Sequence, residues 1–221
     1  MTKHVVITGA NRGIGLSLAK QFKQAGFTVT AVCRNTSDAI KATADRVIEG
    51  IDVASETSVV SLASLLAEQP IDILVCNAGV LRDEGLGYLD LDSIRLQYEV
   101  NAIAPLNLVD KLRDNLNHGG KVALITSRMG SIADNSSGGR YGYRMSKAAL
   151  NTAGMSMSHD LSDKQVAVGI YHPGYVQTDM VGGRGDISAD EAASRLTQLI
   201  LELTMDESGV FRHSNGQVLP W

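Results

Sequence analysis

The hydrophobic pattern of the chain alternates between two periods. Short runs rich in β-branched residues predict strands at 4–9, 28–33, 46–51, 71–76, 121–126 and 166–172. Several of these runs are almost continuously apolar, which is typical of strands covered on both faces. Longer segments with apolar residues at helical spacing separate them, at 14–26, 56–69, 91–116, 144–161 and 188–204. The alternation predicts an α/β fold with a parallel sheet and helices on both faces.

The same pattern predicts a single domain over 1–221, because no internal repeat or long linker interrupts it. Ser188 and Glu191 form a possible capping box at the start of the last helix. Hydrophobic residues make up 44% of the 221 residues and charged residues 20%, which suits a globular protein with a full core.

Charge and composition exclude several classes of partner. The formal net charge is −4 without a basic run, so we expect no nucleic acid partner. No apolar stretch approaches the ~18 residues of a membrane span, so we expect no membrane partner. The scattered histidines predict no metal site. Because only Cys33 and Cys76 are present and no signal-peptide pattern opens the chain, we expect a cytoplasmic protein.

A glycine-rich loop follows the first predicted strand. The segment TGANRGIG, residues 8–15, places Gly9, Gly13 and Gly15 between that strand and a helix. Such a loop lets backbone N–H groups and a helix N-terminus approach a pyrophosphate, although a glycine triplet can also be a simple tight turn. We predict nucleotide binding by the loop residues Gly9, Asn11, Arg12, Gly13, Ile14 and Gly15.

Two arginines indicate which nucleotide binds. A carboxylate after the second strand would hold the ribose 2′-hydroxyl of NAD, but residues 33–37 are CRNTS. Arg34 at this position, together with Arg12 in the glycine loop, suits a 2′-phosphate. The alternative is that both are solvated surface arginines. We predict NADP(H) as the cofactor.

Five motifs in order resemble the short-chain dehydrogenases/reductases, and the resemblance covers essentially the whole chain. They are TGANRGIG, CNAG at 76–79, Ser127 in ITSRMGS, YRMSK at 143–147 and PGYVQT at 173–178. The chain is most similar to the compact, carbonyl-reductase-like branch. The resemblance implies a Rossmann-type, doubly wound parallel sheet of about seven strands. It also implies a homodimer through helices 91–116 and 141–161.

The resemblance implies a catalytic tetrad of Asn101, Ser127, Tyr143 and Lys147. Tyr143 would give its proton to the carbonyl oxygen of a small aldehyde or ketone as NADPH delivers hydride. Ser127 would steady that oxygen, while Lys147 would stabilise the phenolate and bind the nicotinamide ribose. Tyr143 and Lys147 are four residues apart and share a helix face, whereas Tyr141 lies about 120° around the helix. We therefore predict that Tyr141 only packs or lines the substrate wall.

Asn101 lies four residues before Pro105 in the predicted helix 91–116. Proline has no N–H, so the carbonyl of Asn101 loses its helical partner and is free to hold an ordered water at a kink. In the family, such a water links the helix to the lysine as a proton relay. A kink without function is the alternative.

Further cofactor contacts follow from the resemblance alone. We expect Asp52 and Val53 to contact the adenine. Below the adenosine ribose we expect Asn77, Ala78 and Gly79. The nicotinamide carboxamide would be held by Pro173, Gly174, Val176 and Thr178. Cys76 stands where the family usually has a first asparagine, so the local hydrogen bonding is open, and Asn77 is as plausible in a structural role. Strands two and four would flank strand one, which places Cys33 and Cys76 about 9–10 Å apart, too far for a disulfide.

Substrate contacts are expected from Ser127, Arg128, Met129 and Tyr143. Arg128 either meets a polar or anionic substrate or braces its loop. The short, glycine-rich segment 179–187 predicts an open cleft with a small flap rather than a long helical lid. The predicted function is NADPH-dependent carbonyl reduction. The alternative is an NADP(H)-binding redox sensor or signalling protein with little turnover.

Overall fold

The computed structural model of the protein describes residues 2–221. Within this range, seven strands form one sheet in the order β3-β2-β1-β4-β5-β6-β7, and every neighbouring pair is parallel. The strands are β1 His4–Thr8, β2 Thr28–Val32, β3 Arg46–Ile48, β4 Ile71–Cys76, β5 Leu116–Ile125, β6 Ala167–His172 and β7 Phe211–His213. The predicted Rossmann-type parallel sheet is confirmed. Strand β7 lies outside the six runs that the hydrophobic pattern indicated.

The helices connect these strands and cover both faces of the sheet. They are α1 Gly13–Gln24, α2 Asp38–Lys41, α3 Glu56–Leu65, α4 Leu91–Tyr98, α5 Ala104–Leu112, α6 Tyr141–Asp160 and α7 Ala189–Glu202. The Oγ of Ser188 accepts the backbone N–H of Glu191 at 3.1 Å, as the predicted N-cap requires. None of the helices in residues 2–221 is long and apolar enough to cross a membrane.

Alternate residues of each strand enter two separate cores. On β1, Val6 packs with α3, α5 and α6 on one face, whereas Val5 and Ile7 pack with α1 and α7 on the other. Phe22 of α1 is fully buried in this second core. Each such side chain stabilises the fold by roughly 1.5–3 kcal/mol. The two-sided burial explains why the strand sequences are apolar throughout rather than alternating.

The predicted kinked helix over 91–116 is divided and ends earlier than predicted. A π-helical turn at Glu99–Ile103 separates α4 from α5, and α5 ends at Leu112, before β5 begins. Pro105 lies in the first turn of α5, directly after the π turn, and supplies no backbone N–H there. The interruption falls where the Asn101–Pro105 spacing placed a kink, while the role of the Asn101 carbonyl with a water stays a prediction.

The two cysteines are free and buried, as predicted. Cys76 ends β4 and Cys33 follows β2, and these two strands lie on opposite sides of β1. Burial raises the pKa of the Cys76 thiol to about 12, so this side chain behaves as an inert apolar group.

Candidate active site

A cavity of about 320 Å³ opens at the carboxyl ends of the strands, the usual ligand side of such a sheet. Its lining contains most of the predicted cofactor residues: Gly9, Asn11, Arg12, Gly13, Ile14, Gly15, Arg34, Asp52, Val53, Asn77, Ala78, Gly79, Tyr143, Lys147, Pro173 and Thr178. Gly174 and Val176 are not among the lining residues; Val176 is buried and forms a bridge with Ile187.

The glycine loop is held in a shape that only glycine permits. A Cβ on Gly15 would lie 2.2 Å from the Gly9 carbonyl oxygen and 2.6 Å from Nδ2 of Asn77. Gly9 itself has φ +65°, a left-handed conformation. The Asn77 amide donates to the carbonyls of Thr8 at 3.0 Å and Gly9 at 3.2 Å, so it ties the end of β4 to the loop. Asn77 therefore has a clear structural role.

The start of α1 offers donors to an anion. Arg12 is the N-cap residue and its side chain makes no capping hydrogen bond, so the first N–H groups of the helix have no side-chain cap. The glycines keep side chains away from this end of the helix, which lines the cavity. Uncapped N–H groups beside Arg12 and Arg34 fit the phosphates of a dinucleotide.

The Arg12 guanidinium forms an ion pair with Asp179, with Nη1 2.6 Å from Oδ2 and both side chains largely exposed. This contact joins the glycine loop to segment 179–187 across the cavity. Within that segment the longest helical piece is the short turn Asp179–Val181. The open cleft with a small flap stays a prediction. Asp179 also lines the cavity, and no sequence pattern marked it as a site residue.

Tyr143 and Lys147 lie on one face of α6 at the inner end of the cavity. The Lys147 Nζ lies 5.9 Å from the centroid of the Tyr143 ring and donates to the Ile125 carbonyl at 2.9 Å. Ser127 follows β5, and its Oγ accepts the backbone N–H of Met129 at 3.1 Å. Burial lowers the pKa of Lys147 to about 8. Ser127 is buried and, unlike Tyr143 and Lys147, is not among the residues that line the cavity.

Burial also raises the pKa of Tyr143, and the Ser127 hydroxyl and the Arg140 charge only partly oppose this rise. The phenol therefore holds its proton near neutral pH, which suits a general acid for carbonyl reduction. Alcohol oxidation requires the phenolate instead, and a cation beside the ring would favour that form.

Asn101 supports the active-site helix from behind. Its side chain donates to the Val80 carbonyl at 2.8 Å and to Ser146 Oγ at 3.0 Å, and it accepts the Val80 N–H at 2.8 Å. Ser146 immediately precedes Lys147 in α6. The fully buried Asn101 does not line the cavity, so its side chain positions the neighbouring loop and helix.

The predicted substrate residues Arg128 and Met129 lie beside the cavity rather than in its lining. Arg128 pairs with Asp134, with Nη2 2.7 Å and Nε 2.8 Å from the same oxygen. Of the two roles considered for Arg128, the structure shows the bracing of its own loop.

Sequence analysis missed a buried polar cluster under the start of α6. Oε1 of Glu84 accepts Ser93 Oγ at 2.5 Å and Gln97 Nε2 at 2.6 Å, and Gln97 is fully buried. The backbone carbonyl of Glu84 accepts the N–H of Arg140 at 2.8 Å, directly before α6 begins. The surrounding sequence DEGLGYLD resembles an ordinary solvated loop, so no signal marked this cluster.

Comparison with known proteins identifies the family of the chain. The family model for short chain dehydrogenases matches residues 3–187. The 1-hydroxy-2-glutathionyl-2-methyl-3-butene dehydrogenase of Rhodococcus sp. (strain AD45) is 41% identical over 223 aligned positions, and the alignment covers 98% of this chain and 99% of that protein. The C-signal of Myxococcus xanthus is 38% identical over 167 residues, 73% of this chain and 99% of the relative.

A solved structure shares the fold over the whole chain. The NADPH-bound carbonyl reductase from chicken fatty liver has a TM-score of 0.88 and 26% identity, with 100% of this chain and 99% of that chain covered. The family match, the two relatives and the shared fold lead to one conclusion: the chain belongs to the short-chain dehydrogenase family.

Proposed function

We propose that this protein is an NADP(H)-dependent oxidoreductase that interconverts a carbonyl compound and its alcohol. The main support is the buried Tyr143–Lys147 pair, with Ser127 beside the phenol, at the inner end of a cavity that begins at a glycine loop. The cofactor preference is supported by Arg12 and Arg34 and by the NADPH-bound relative of known structure.

The glycine loop, the uncapped start of α1 and the two arginines would hold the phosphates. When bound, the nicotinamide supplies or accepts the hydride. In reduction, Tyr143 donates the proton held on its Oη to the substrate oxygen, while Ser127 Oγ keeps that oxygen in line. Lys147 lies close enough to stabilise the phenolate that remains. The same groups run the alcohol oxidation in reverse.

The Rhodococcus relative gives a substrate class to test, because its name states a glutathionyl alcohol. We propose that the panel include an alcohol carrying a glutathione thioether, beside simple aldehydes, diketones and quinones. NADPH oxidation and NADP⁺ reduction are followed separately, because the direction of the reaction is part of the question.

The decisive comparison is Tyr143→Phe against Tyr141→Phe. Loss of the proton donor lowers kcat by about 10²- to 10⁴-fold without loss of NADPH affinity. Tyr141→Phe keeps most of the activity and serves as the control for removal of a hydroxyl from the same helix. Equal activity of the two variants would contradict the proposed role of Tyr143.

The likeness to the C-signal of Myxococcus xanthus favours one second candidate, an NADP(H)-binding signalling protein. Tight NADPH binding without turnover of any member of the panel, in either direction, would favour this candidate over the enzyme.

We also propose a cytoplasmic homodimer formed through 91–116 and 141–161. Large apolar side chains are exposed on these two segments: Leu91, Leu96, Tyr98, Ile103, Leu106, Met145 and Met155. Sedimentation measurements test this state, and a monomer at micromolar concentration would contradict it.

A further inference from the structure

Three arginines flank Ser127 and Tyr143 in the chain, and they differ in how many of their N–H donors are hydrogen-bonded. Arg128 is paired with Asp134. Arg144 binds the carbonyls of Gly138 and Gly139 through Nε, at 3.3 and 3.2 Å. Its other nitrogens reach the Met129 carbonyl at 3.5 Å and Ser137 Oγ at 2.9 Å. Both side chains therefore hold the loop that leads into α6.

Arg140 is the third, and its guanidinium has an open edge. Its Nε lies 3.5 Å from the Asp83 carboxylate, and its Nη1 approaches only the Met129 sulfur, at 3.9 Å. Among the described residues, Nη2 of Arg140 has no hydrogen-bond acceptor. The side chain is 40% exposed, and within residues 2–221 no carboxylate or carbonyl oxygen accepts from either Nη group. Paired N–H donors of this kind match the two oxygens of a carboxylate.

The position of Arg140 is fixed by the backbone. Its N–H donates to the Glu84 carbonyl at 2.8 Å, and its φ of 51° turns the chain sharply into α6. The guanidinium therefore lies between the loop that contains Asp83 and the loop that contains Met129. Arg140 stands three residues before Tyr143 in the chain, at the N-cap of α6. The Met129 that its Nη1 approaches donates its backbone N–H to Ser127 Oγ. Arg140 is not among the residues that line the cavity, so it lies beside the cavity, at the end near Ser127 and Tyr143.

We propose that Arg140 is a specificity residue that binds a carboxylate of the substrate, and that the enzyme prefers carbonyl compounds or alcohols carrying such a group. This inference rests on the proposed function. Asp83, which is 69% exposed, is the competing anion, and a bidentate carboxylate ligand displaces its single, long contact.

The test uses two aldehydes that differ in one charge, 4-carboxybenzaldehyde and its neutral methyl ester. The wild type is expected to show at least a tenfold higher kcat/KM for the acid. A tenfold ratio is what the free energy of one hydrogen bond to a charged group provides. Arg140→Gln lowers kcat/KM about tenfold more for the acid than for the ester, mainly through KM. Arg140→Lys keeps the positive charge and retains part of the preference for the acid. Gln and Lys lose the same conformational free energy in the left-handed backbone conformation, so the two variants can be compared directly.

Two further variants separate recognition from folding. Asp83→Asn removes the competing anion and is expected to increase the preference for the acid, which a purely structural role of Arg140 does not explain. Arg144→Gln loosens the loop and lowers the rates for both aldehydes in parallel. If Arg140→Gln affects both aldehydes equally, as Arg144→Gln is expected to do, the proposal is wrong.

The result also separates the role of Arg140 from the proposed oxidoreductase function. Reduction of both aldehydes at equal kcat/KM by the wild type would overturn the role of Arg140 and leave the proposed function intact. Turnover of neither would count against the proposed function. In that case, titration of the NADPH complex with benzoate and benzamide, followed by cofactor fluorescence, decides the role of Arg140: selective binding of benzoate supports it, and equal binding overturns it.

Discussion

Substitution of Gly15 by alanine tests the link between loop shape and cofactor binding. The new Cβ would lie 2.2 Å from the Gly9 carbonyl oxygen and 2.6 Å from Asn77 Nδ2, so the loop must move by about 1 Å to reach ordinary contact distances. This movement strains the packing and breaks the two hydrogen bonds of the Asn77 amide. Together these effects lower the free energy of unfolding by about 3 to 5 kcal/mol.

Thermal unfolding with and without NADPH measures both consequences. For a chain of this length, the loss corresponds to a decrease in Tm of roughly 6 to 20 °C. NADPH at about 100 times its Kd raises the free energy of unfolding of the wild type by about 2.7 kcal/mol. It raises that of a variant whose loop has moved only slightly.

Gly13→Ala is the matched control in the same loop. Its Cβ meets only the Thr178 side chain, at 3.5 Å, so the main cost is the left-handed φ of +53°, about 1 to 2 kcal/mol. If Gly15→Ala unfolds within 2 °C of the wild type, on the order of 1 kcal/mol, and still gains the full NADPH shift, the reasoning about the loop is refuted.

Three further predictions concern cofactor choice, the active-site helix and the buried lysine. Arg34→Glu is expected to raise the KM for NADPH at least tenfold while the KM for NADH changes little. Steady-state kinetics with both cofactors measure this difference, and equal changes in the two KM values would contradict a 2′-phosphate contact. Pro105→Ala restores a backbone donor after the π turn and is expected to slow turnover, and an unchanged rate and pH profile would contradict a role for the Asn101 carbonyl. Lys147→Met is expected to abolish turnover yet raise the free energy of unfolding by about 3 kcal/mol at pH 7, because the folded state lowers the pKa of this lysine from 10.5 to about 8. This gain shrinks between pH 8 and 10.5, where the wild type takes up fewer protons when folded than when unfolded, and urea unfolding at pH 7 and 10 measures it.

The sequence predicted those features that depend on local pattern. Buried strands such as 71–76 are recognisable because their residues are apolar almost throughout. The glycine loop is recognisable because its glycines lie between β1 and α1. The four-residue helix α2 is too short to show a period, so it was missed.

The features that escaped prediction depend on contacts distant in the chain. The π turn at Glu99–Ile103 accompanies the hydrogen bonds of Asn101 to Val80, which no local periodicity reveals. Glu84 is charged and lies in a glycine-containing loop, yet its partners on α4 bury it. The open donors of Arg140 become visible only when the partners of Arg128 and Arg144 are known.

The one-sided placement of the site has a consequence for protein engineering. The cavity is built at the carboxyl ends of the strands, whereas the turns that precede the strands lie at the opposite edge of the sheet. The turn at Gly26 is one of these, and a side chain added there would contact nothing within 4 Å. A peptide tag or a small reporter domain inserted between Ala25 and Gly26 breaks the helix-end hydrogen bonds from the Gly26 N–H to Lys23 and from the Phe27 N–H to Phe22. Because this turn lies at the edge away from the cavity, the insertion is expected to cost stability and to leave the active site unchanged. The fold thus offers an attachment point whose tolerance is independent of the chemistry at the other edge.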